Sequence, residues 1–281
     1  MRGRPPFPAD DHVHSEWSWD TSAGDMEAAC ARAADIGVPS VAFTEHADHT
    51  AWHVGTGEGL PDDWTRHGVV NGSLVPPPFN AEGYLESIER CRALFPGLRI
   101  LTGVELGEPH WHRAVVDDLL ATGAFTRVLA SVHSAAVDTG FVDVGVRFDR
   151  LSPHEVYAEY LTEVEHLVTT YDDFEVLAHI DYPLRTWPVS TPLDLGPLED
   201  QLRHVLGLLR DGGKVLEINT RVPLPPTILR WWHDTGGQAV SFASDAHRPE
   251  LVARGFAAAV ALAGATGFRP AADPLDFWVR A

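Results

Sequence analysis

The feature that most constrains the fold is a series of six apolar segments, each about as long as a β-strand and enriched in branched residues. They read VPSVAFTEH, LRILTGVEL, RVLASVH, FEVLAHID, GKVLEIN and QAVSFASDAH, and turn residues bound each one. Continuous apolar runs of this length are typical of strands that are buried on both faces of a parallel sheet. The opening segment DDHVH adds a seventh candidate strand.

Segments with helical periodicity lie between the strands. Asp25 and Gly37 bound a first helix as its N-cap and its stop signal, and Ser152, followed by Pro153 and Glu155, begins a second. A third helix, in LEDQLRHVLGLLRDGG, presents an apolar face and ends at a glycine pair. Strands that alternate with such helices predict an α/β fold with a parallel sheet, either open or closed.

The longest segment without clear periodicity spans residues 46–80. A loop of that size in a compact domain is usually a lid or a binding loop. Its Trp52, Trp64 and Arg66 could contact the organic part of a ligand, although loop aromatics serve equally well to hold a loop against its domain. No repeat or linker divides the chain, so residues 1–281 are expected to form a single domain that carries a lid-like loop.

The chain is strongly acidic, with a formal net charge of −19 from 40 acidic and 21 basic residues, and Lys214 is its single lysine. No segment collects enough basic residues to neutralise a row of phosphates, which disfavours a nucleic acid as the main partner. Cys30 and Cys91 show no paired spacing, no signal-peptide-like segment opens the chain, and no apolar run approaches the roughly 18 residues of a membrane span. These observations favour a cytoplasmic protein without a membrane partner.

Side chains that can bind metal ions fall at the carboxyl ends of the candidate strands. In chain order they are Glu45 and His46, Glu105, His133, His179 and Asp181, Glu217, and Asp245 and His247. Histidines with packing roles alone would fall on helices and in strand interiors as often as at strand ends. The carboxyl end is also where (β/α) barrels carry out their chemistry, so the pattern predicts a metal site there.

His12 and His14 extend this pattern. Alternate residues of an extended segment point the same way, so both imidazoles can reach one ion. A His-x-His pair is common by chance, so it indicates a metal site only together with the other candidate ligands. Amidohydrolases also begin with such a pair but need a bridging lysine before their later histidines. Lys214 follows His179 and precedes its strand, which is the wrong order.

The motifs HVHSEWSWD, FTEHAD, GVELGE, SVH, LAHID, EINT and SDAH occur in the order found in the PHP (polymerase and histidinol phosphatase) family. The sequence resembles this family from about residue 10 to residue 250. The motif EINT and the length of the chain resemble the histidinol-phosphatase branch of the family. The polymerase branch embeds the same domain in a far longer chain. The resemblance implies a distorted (β/α)7 TIM-like barrel within the α/β class.

The resemblance further implies a site for up to three divalent metal ions, which would be zinc, iron or manganese. The first ion would be held by His12, His14, Glu105 and Asp245, the second by the bridging Glu105 with His133 and His179, and the third by Asp20, His46 and His247. Many relatives carry histidine where this chain has Asp20. A carboxylate is a competent ligand for these metals and makes the third position more anionic. Glu217, Glu45 and Asp181 are expected to support the ligands rather than to bind metal.

The implied activity is hydrolysis of a phosphomonoester, most simply L-histidinol phosphate to L-histidinol and phosphate, by a metal-activated hydroxide without a covalent intermediate. Glu105, as the bridging ligand, and His247, as a possible proton donor, are the candidate catalytic residues. Arg185, Arg221 and Arg248 each follow a strand end and could bind phosphate, with Arg221 and Arg248 ranked above Arg185. The alternative for each arginine is a salt bridge to an acidic residue.

Other functions stay open at this stage. The same fold could act on another small phosphomonoester, act as a phosphodiesterase or nuclease, or hold metal without turnover. The full set of ligands disfavours the last, and the acidic charge disfavours the nuclease. The fold alone does not determine the substrate, and the sequence leaves the oligomeric state undetermined.

Overall fold

All seven predicted strands form in the computed structural model, which describes residues 7–55, 60–138, 140–273 and 275–281. The strands in this part of the chain are β1 (Asp10–Val13), β2 (Ser40–Ala47), β3 (Trp52–His53), β4 (Val69–Val70), β5 (Ser73–Leu74), β6 (Arg99–Gly107), β7 (Arg127–Ser131), β8 (Ser134–Val137), β9 (Gly140–Asp143), β10 (Val176–Leu177), β11 (Val215–Asn219), β12 (Ala239–Ala243), β13 (Phe268–Pro270) and β14 (Trp278–Arg280). The α-helices are α1 (Met26–Ile36), α2 (Asp62–Thr65), α3 (Ala81–Leu94), α4 (Arg113–Leu120), α5 (Pro153–Thr170), α6 (Glu199–Asp211), α7 (Pro226–Asp234) and α8 (Phe256–Thr266).

The main sheet curls into a barrel. Its seven parallel strands pair in the order β1-β2-β6-β7-β10-β11-β12, and β14 and β13 extend it in antiparallel fashion. The first and last parallel strands meet through two backbone hydrogen bonds of 2.9 Å, from the N–H of His14 to the carbonyl of Ala246 and from the N–H of Asp245 to the carbonyl of His12. The expected distorted (β/α)7 TIM-like barrel is therefore confirmed.

A buried carboxylate holds this seam together. Asp10 in β1 is fully buried, and it accepts hydrogen bonds from the backbone N–H groups of Ser244 at 2.9 Å and Ala253 at 2.8 Å. Both donors lie beyond the end of β12. A buried N–H without a partner costs free energy, so Asp10 satisfies two donors while it joins the two ends of the barrel.

The predicted helix signals are also confirmed. Asp25 caps α1 by accepting a hydrogen bond from the N–H of Ala28, and Gly37 ends it with a left-handed φ of 79°. Ser152 and Glu155 form a reciprocal capping box at the start of α5. The buried faces of α5 and α6 pack against the sheet in the main core cluster, as their apolar spacing predicts.

The segment 46–80 differs from the expected irregular loop. Among its described residues it forms β3, α2, β4 and β5, and a five-stranded sheet of order β4-β5-β3-β9-β8 joins it to the hairpin of β8 and β9. Residues 56–59 lie outside the described residues. Strands of two residues leave no periodic signal in a sequence, which explains the difference. Trp19, Trp52 and Leu74 form a small core beneath this second sheet.

No described helix is both long enough and apolar enough to cross a membrane.

The role of Asp10 leads to a test. Asp10→Ala removes the acceptor from two buried N–H groups, so we expect the free energy of unfolding to fall by about 2–5 kcal/mol in urea denaturation. The matched control is Asp35→Ala, because the Asp35 side chain is 80% exposed on α1. The control should change stability by less than about 0.5 kcal/mol. Equal stability of the two variants would show that Asp10 does not hold the seam.

Candidate metal centre

The carboxylate of Glu105, near the end of β6, lies at the centre of five imidazoles. Its Oε2 is 3.0, 3.4 and 3.1 Å from ring nitrogens of His12, His14 and His46. Its Oε1 is 3.2 Å from His133 Nε2 and 2.8 Å from His179 Nε2. The two oxygens therefore face two different groups of imidazoles, which is the arrangement expected of a carboxylate that bridges two metal ions.

Asp245 completes the first group. Its Oδ1 is 3.6 Å from His14 Nε2, and one ligand atom from each of His12, His14 and Asp245 lies within 4.8 Å of the others. Glu105, His133 and His179 meet the same criterion. The structure thus brings together the residues predicted to hold the first and second ions.

Asp20 lies where the third ion was predicted. Its Oδ2 is 3.0 Å from His247 Nε2 and 3.5 Å from His46 Nε2. The ring of His14 stacks on that of His46 with 4.3 Å between centroids, so this group adjoins the first. All nine predicted ligands therefore converge on one end of the barrel.

The backbone is specialised at two of these ligands. His179 and Asp245 each lie two residues beyond a barrel strand and have positive φ values of 22° and 50°. Residues other than glycine rarely adopt this conformation, and it is concentrated at functional sites. With this backbone conformation, His179 contacts Glu105 and Asp245 lies beside His14.

Neighbouring side chains hold the histidine ligands in place. Glu217 Oε2 lies 2.7 Å from Nδ1 of His12, which leaves Nε2 directed at Glu105, and Oε1 accepts from the backbone N–H of His179 at 3.0 Å. On the other side, Nδ1 of His14 lies 2.9 Å from the hydroxyl of Ser18, which donates to Glu45 at 2.6 Å. A carboxylate behind a histidine fixes its tautomer and its orientation toward a metal. The geometry agrees with the supporting role predicted for Glu217 and Glu45.

Two acidic residues of the site were missed at the level of sequence. Asp48 lies with His46 and His133 in a further group whose ligand atoms fall within 4.8 Å, and its Oδ2 accepts from the indole of Trp19 at 2.7 Å. Glu108 accepts from the backbone N–H of His133 at 2.6 Å. They are the last residues of the motifs FTEHAD and GVELGE, three residues after Glu45 and Glu105, and that position was the available signal.

Glycine at position 107 makes room for Asp48. A Cβ atom at this position would collide with Oδ1 of Asp48, so any larger residue would push that carboxylate away from His133. Gly107, the second glycine of GVELGE, therefore leaves the space that Asp48 needs to stay beside His133.

Glu105 and the imidazoles around it shift each other's pKa values strongly. Burial alone would raise the pKa of Glu105, but the imidazoles of His12, His46 and His133 outweigh it and hold the pKa well below its usual range. Burial lowers the pKa of His14, and its neighbours His46 and His247 lower it further. Burial opposes protonation of His12 as well, but the carboxylates of Glu217 and Glu105 outweigh it and raise its pKa, so metal binding must displace a proton from this imidazole.

The donor set fits divalent metal ions. Nε2 of His12 and Nε2 of His14 are 2.9 Å apart beside the Glu105 carboxylate, and two lone pairs approach so closely only around a shared proton or a cation. Imidazole nitrogens and carboxylate oxygens are the ligands that zinc, iron and manganese share. The site can therefore hold several such ions.

A cavity of about 450 Å³ opens beside the ligands. Its lining includes Asp20, His46, His133, His247, Trp64, Arg185 and Arg221. Arg185 pairs with Oδ2 of Asp245, and Arg221 Nη1 lies 3.3 Å from Oδ1 of the same carboxylate. Arg248 is exposed and is not among the described residues that line this cavity, so its role in phosphate binding stays a prediction.

A model of the PHP domain matches residues 10–221 of the chain. The chain belongs to the PHP domain family. The match spans every ligand segment from His12 to His179 and ends just after β11.

Two sequence relatives of this PHP protein carry the same functional name. The probable histidinol-phosphatase of Thermotoga maritima is 26% identical over 254 residues, which cover 88% of this chain and 87% of that protein. The histidinol-phosphatase of Lactococcus lactis subsp. lactis is 24% identical over 247 residues, 85% of this chain and 83% of that protein.

Solved structures show the same fold. Histidinol phosphate phosphatase from Lactococcus lactis subsp. lactis, complexed with zinc, L-histidinol and phosphate, superimposes on this PHP protein with a TM-score of 0.77 and 22% identity, covering 93% of this chain and 94% of that one. The putative histidinol phosphatase from Listeria monocytogenes gives a TM-score of 0.71 and 15% identity, covering 89% and 99%.

The contact between Glu217 and His12 leads to a test. Glu217→Gln keeps the shape of the side chain but removes its negative charge, so we expect metal affinity to fall by about 10–100-fold. Isothermal titration with zinc after removal of metal by a chelator measures this change. Glu199→Gln is the control, because Glu199 lies on α6 and pairs with Arg203 at 2.7 Å. Unchanged zinc affinity in Glu217→Gln would contradict the supporting role of this residue.

Proposed function

We propose that this PHP protein is a phosphomonoesterase that hydrolyses L-histidinol phosphate to L-histidinol and phosphate with up to three divalent metal ions. The observation that carries the proposal is Glu105, whose two oxygens face separate groups of imidazoles beside a cavity lined by two arginines. The names of the relatives in Thermotoga maritima and Lactococcus lactis support the substrate, as does the related structure with zinc, L-histidinol and phosphate.

The chemistry explains why this site needs so many ligands. A phosphate monoester dianion repels an attacking anion, and its uncatalysed hydrolysis is among the slowest reactions known. When bound, divalent metal ions neutralise the phosphate oxygens and supply a nucleophile at neutral pH. The buried ligands of this chain fix where those charges lie, with Glu105 between the two groups of imidazoles.

Arg221 and Arg185 would bind the phosphate from the cavity side. The Arg221 side chain is 39% exposed, whereas that of Arg185 is 17% exposed and already paired with Asp245. Arg221 therefore keeps N–H donors free for the phosphate oxygens, which a guanidinium contacts in bidentate fashion. Arg185 mainly orients Asp245 and adds positive charge, and Arg248 remains a candidate at the rim.

His247 is the candidate proton donor for the leaving alkoxide. It lines the cavity and its side chain is 16% exposed, so a substrate can reach it. Nε2 lies 3.0 Å from Asp20 and Nδ1 lies 3.1 Å from the carbonyl of Asp245. These contacts hold the ring beside the cavity, where it could transfer a proton only while its Nε2 is not bound to the third ion.

The organic part of the substrate would meet the second sheet. Trp64 lines the cavity, and its ring packs 5.0 Å from that of Trp52. Arg66 instead donates to the carbonyl of Trp19 at 2.8 Å, so it holds the segment against the barrel and is engaged away from the substrate. We therefore assign substrate contact to Trp64 and retain the lid-like role of residues 46–80 as a proposal.

We also propose a cytoplasmic location. Cys30 and Cys91 are both free and buried, which suits a reducing compartment. Cell fractionation followed by immunodetection tests this assignment, and recovery of the protein outside the cytoplasm would contradict it.

The proposed activity can be tested with a ligand variant. His14→Ala removes an imidazole that contacts Glu105, so we expect metal to be lost and phosphate release from L-histidinol phosphate to fall at least about 100-fold. His204→Ala is the control, because His204 is exposed on α6 and should leave activity unchanged. Full activity in His14→Ala would contradict the ligand assignment.

The substrate is tested on the unmodified protein. The protein is purified without chelator, its metal content is counted, and phosphate release from L-histidinol phosphate is compared with other small phosphomonoesters and short oligonucleotides. We expect the highest kcat/KM for L-histidinol phosphate. A preference for another monoester would change the substrate but not the reaction, whereas activity on oligonucleotides alone would overturn both.

The contact proposed for Trp64 gives a separate prediction. Trp64→Ala should raise KM for L-histidinol phosphate by roughly 3–10-fold, because an aromatic contact contributes about 0.5–1.5 kcal/mol. KM for a small aliphatic phosphomonoester that lacks the imidazole should hardly change. Equal effects on both substrates would indicate that Trp64 acts by holding the second sheet.

A further inference from the structure

A second group of metal-binding side chains lies outside the catalytic site. His110 Nε2 is 2.6 Å from Oε1 of Glu163, and Nδ1 of His166 is 3.2 Å from the same oxygen. The two imidazoles meet edge to face with 4.9 Å between centroids. One ligand atom from each of the three residues lies within 4.8 Å of the others.

The fold brings these residues together from two elements. Glu163 and His166 are three residues apart on α5, so they share one face of the helix. His110 comes from the segment that connects β6 to α4. The adjacent Trp111 donates its indole N–H to the same oxygen of Glu163 at 2.9 Å.

We propose that His110, Glu163 and His166 form a second metal site that binds one divalent transition-metal ion, with zinc as the best match. Two imidazoles and one carboxylate are a known donor set for zinc that leaves the fourth position to solvent. The site shares no residue with the proposed catalytic centre and does not depend on the proposed phosphatase activity.

The distances are close to those of a bound ion. Zinc ligands lie about 2.1 Å from the metal, so two ligands of a tetrahedral site are about 3.4 Å apart. The 3.2 Å distance between Glu163 and His166 already fits, and the 2.6 Å distance between His110 and Glu163 must widen by less than about 1 Å. A rotation of the Glu163 side chain provides that movement.

Burial shows how the site is built. The His110 side chain is fully buried, and its Nδ1 has no hydrogen-bond partner among the described residues. Its Nε2, in contrast, contacts Glu163 within the cluster. Glu163 is 25% exposed and His166 is 55% exposed. The open side at His166 gives an ion a path to enter and a position for a water ligand.

The charges are arranged for a cation. Partial burial opposes ionisation of Glu163, but the imidazoles of His110 and His166 lower its pKa below the usual range. Glu163 therefore stays anionic at neutral pH. A cation would bind between the carboxylate and the two imidazoles that now contact it.

A bound ion would fasten the β6–α4 connection to α5. The same connection carries Glu108, which accepts hydrogen bonds from the backbone N–H groups of His133 and Ser134 beside the catalytic ligands. Because the ion binds the folded chain, occupancy of this site should stabilise the protein and raise its Tm.

The test compares zinc stoichiometry in three proteins. Wild type, His166→Ala and the matched control His204→Ala are stripped of metal, refilled with zinc and analysed for zinc per chain. His204 provides a single imidazole 3.2 Å from one carboxylate, Glu165, on neighbouring helices. We expect His166→Ala to bind one zinc ion fewer than wild type, and His204→Ala to bind the same number as wild type.

Further measurements keep the outcome clear. Excess zinc should raise the Tm of His204→Ala more than that of His166→Ala, and Glu163→Gln should also bind one ion fewer if the carboxylate is a ligand. His166 is half exposed, so its variant should fold, which circular dichroism verifies. Equal zinc content in wild type and His166→Ala, or the same loss in His204→Ala, would overturn the proposal whether or not the phosphatase activity is found.

Discussion

The buried carboxylate of Glu105 is the interaction on which the rest of the structure depends. An isolated charge at this depth would be strongly unfavourable, and it is offset by the imidazoles that surround it on both sides. Those imidazoles come from four strands or the residues just after them, β1, β2, β7 and β10. The barrel must therefore bring several strand ends to within a few ångströms of one oxygen pair, and small errors in register would leave an anion buried without partners.

The segments that close the barrel are also segments that carry metal ligands. His12 and His14 lie in and just after β1, Asp245 and His247 lie just after β12, and the two segments bond directly to each other through their backbones. Asp10 reinforces that joint from inside the barrel. A chain in which these two strands did not meet would lose both the seam of its sheet and half of its first ligand group.

Much of this could be predicted from the sequence because the signals are local. The seven candidate strands, the caps of α1 and α5, and the position of the metal ligands at or just after strand ends follow from period, spacing and motif. The second sheet could not be predicted, because its strands are only two to four residues long and carry too little periodicity. Arg185 and Arg248 both follow strand ends, so the sequence alone does not show which of them faces the cavity; the partial burial of Arg185 and the exposure of Arg248 depend on tertiary packing. Asp48 escaped notice because its role depends on a neighbouring strand that ends in Gly107.

The second sheet contributes one wall of the cavity beside the metal ligands. It is built from short strands in two connections of the barrel, β3, β4 and β5 after β2 and β8 and β9 after β7, and β3 pairs with β9. Most of its residues lie outside the metal ligand set, yet Trp64 and Trp52 line the cavity from this side. Mutations in these connections can therefore change the cavity wall proposed to contact the organic part of the substrate without changing the metal ligands. The barrel thus carries the metal ligands, while a separate layer of the fold forms the other wall of the cavity.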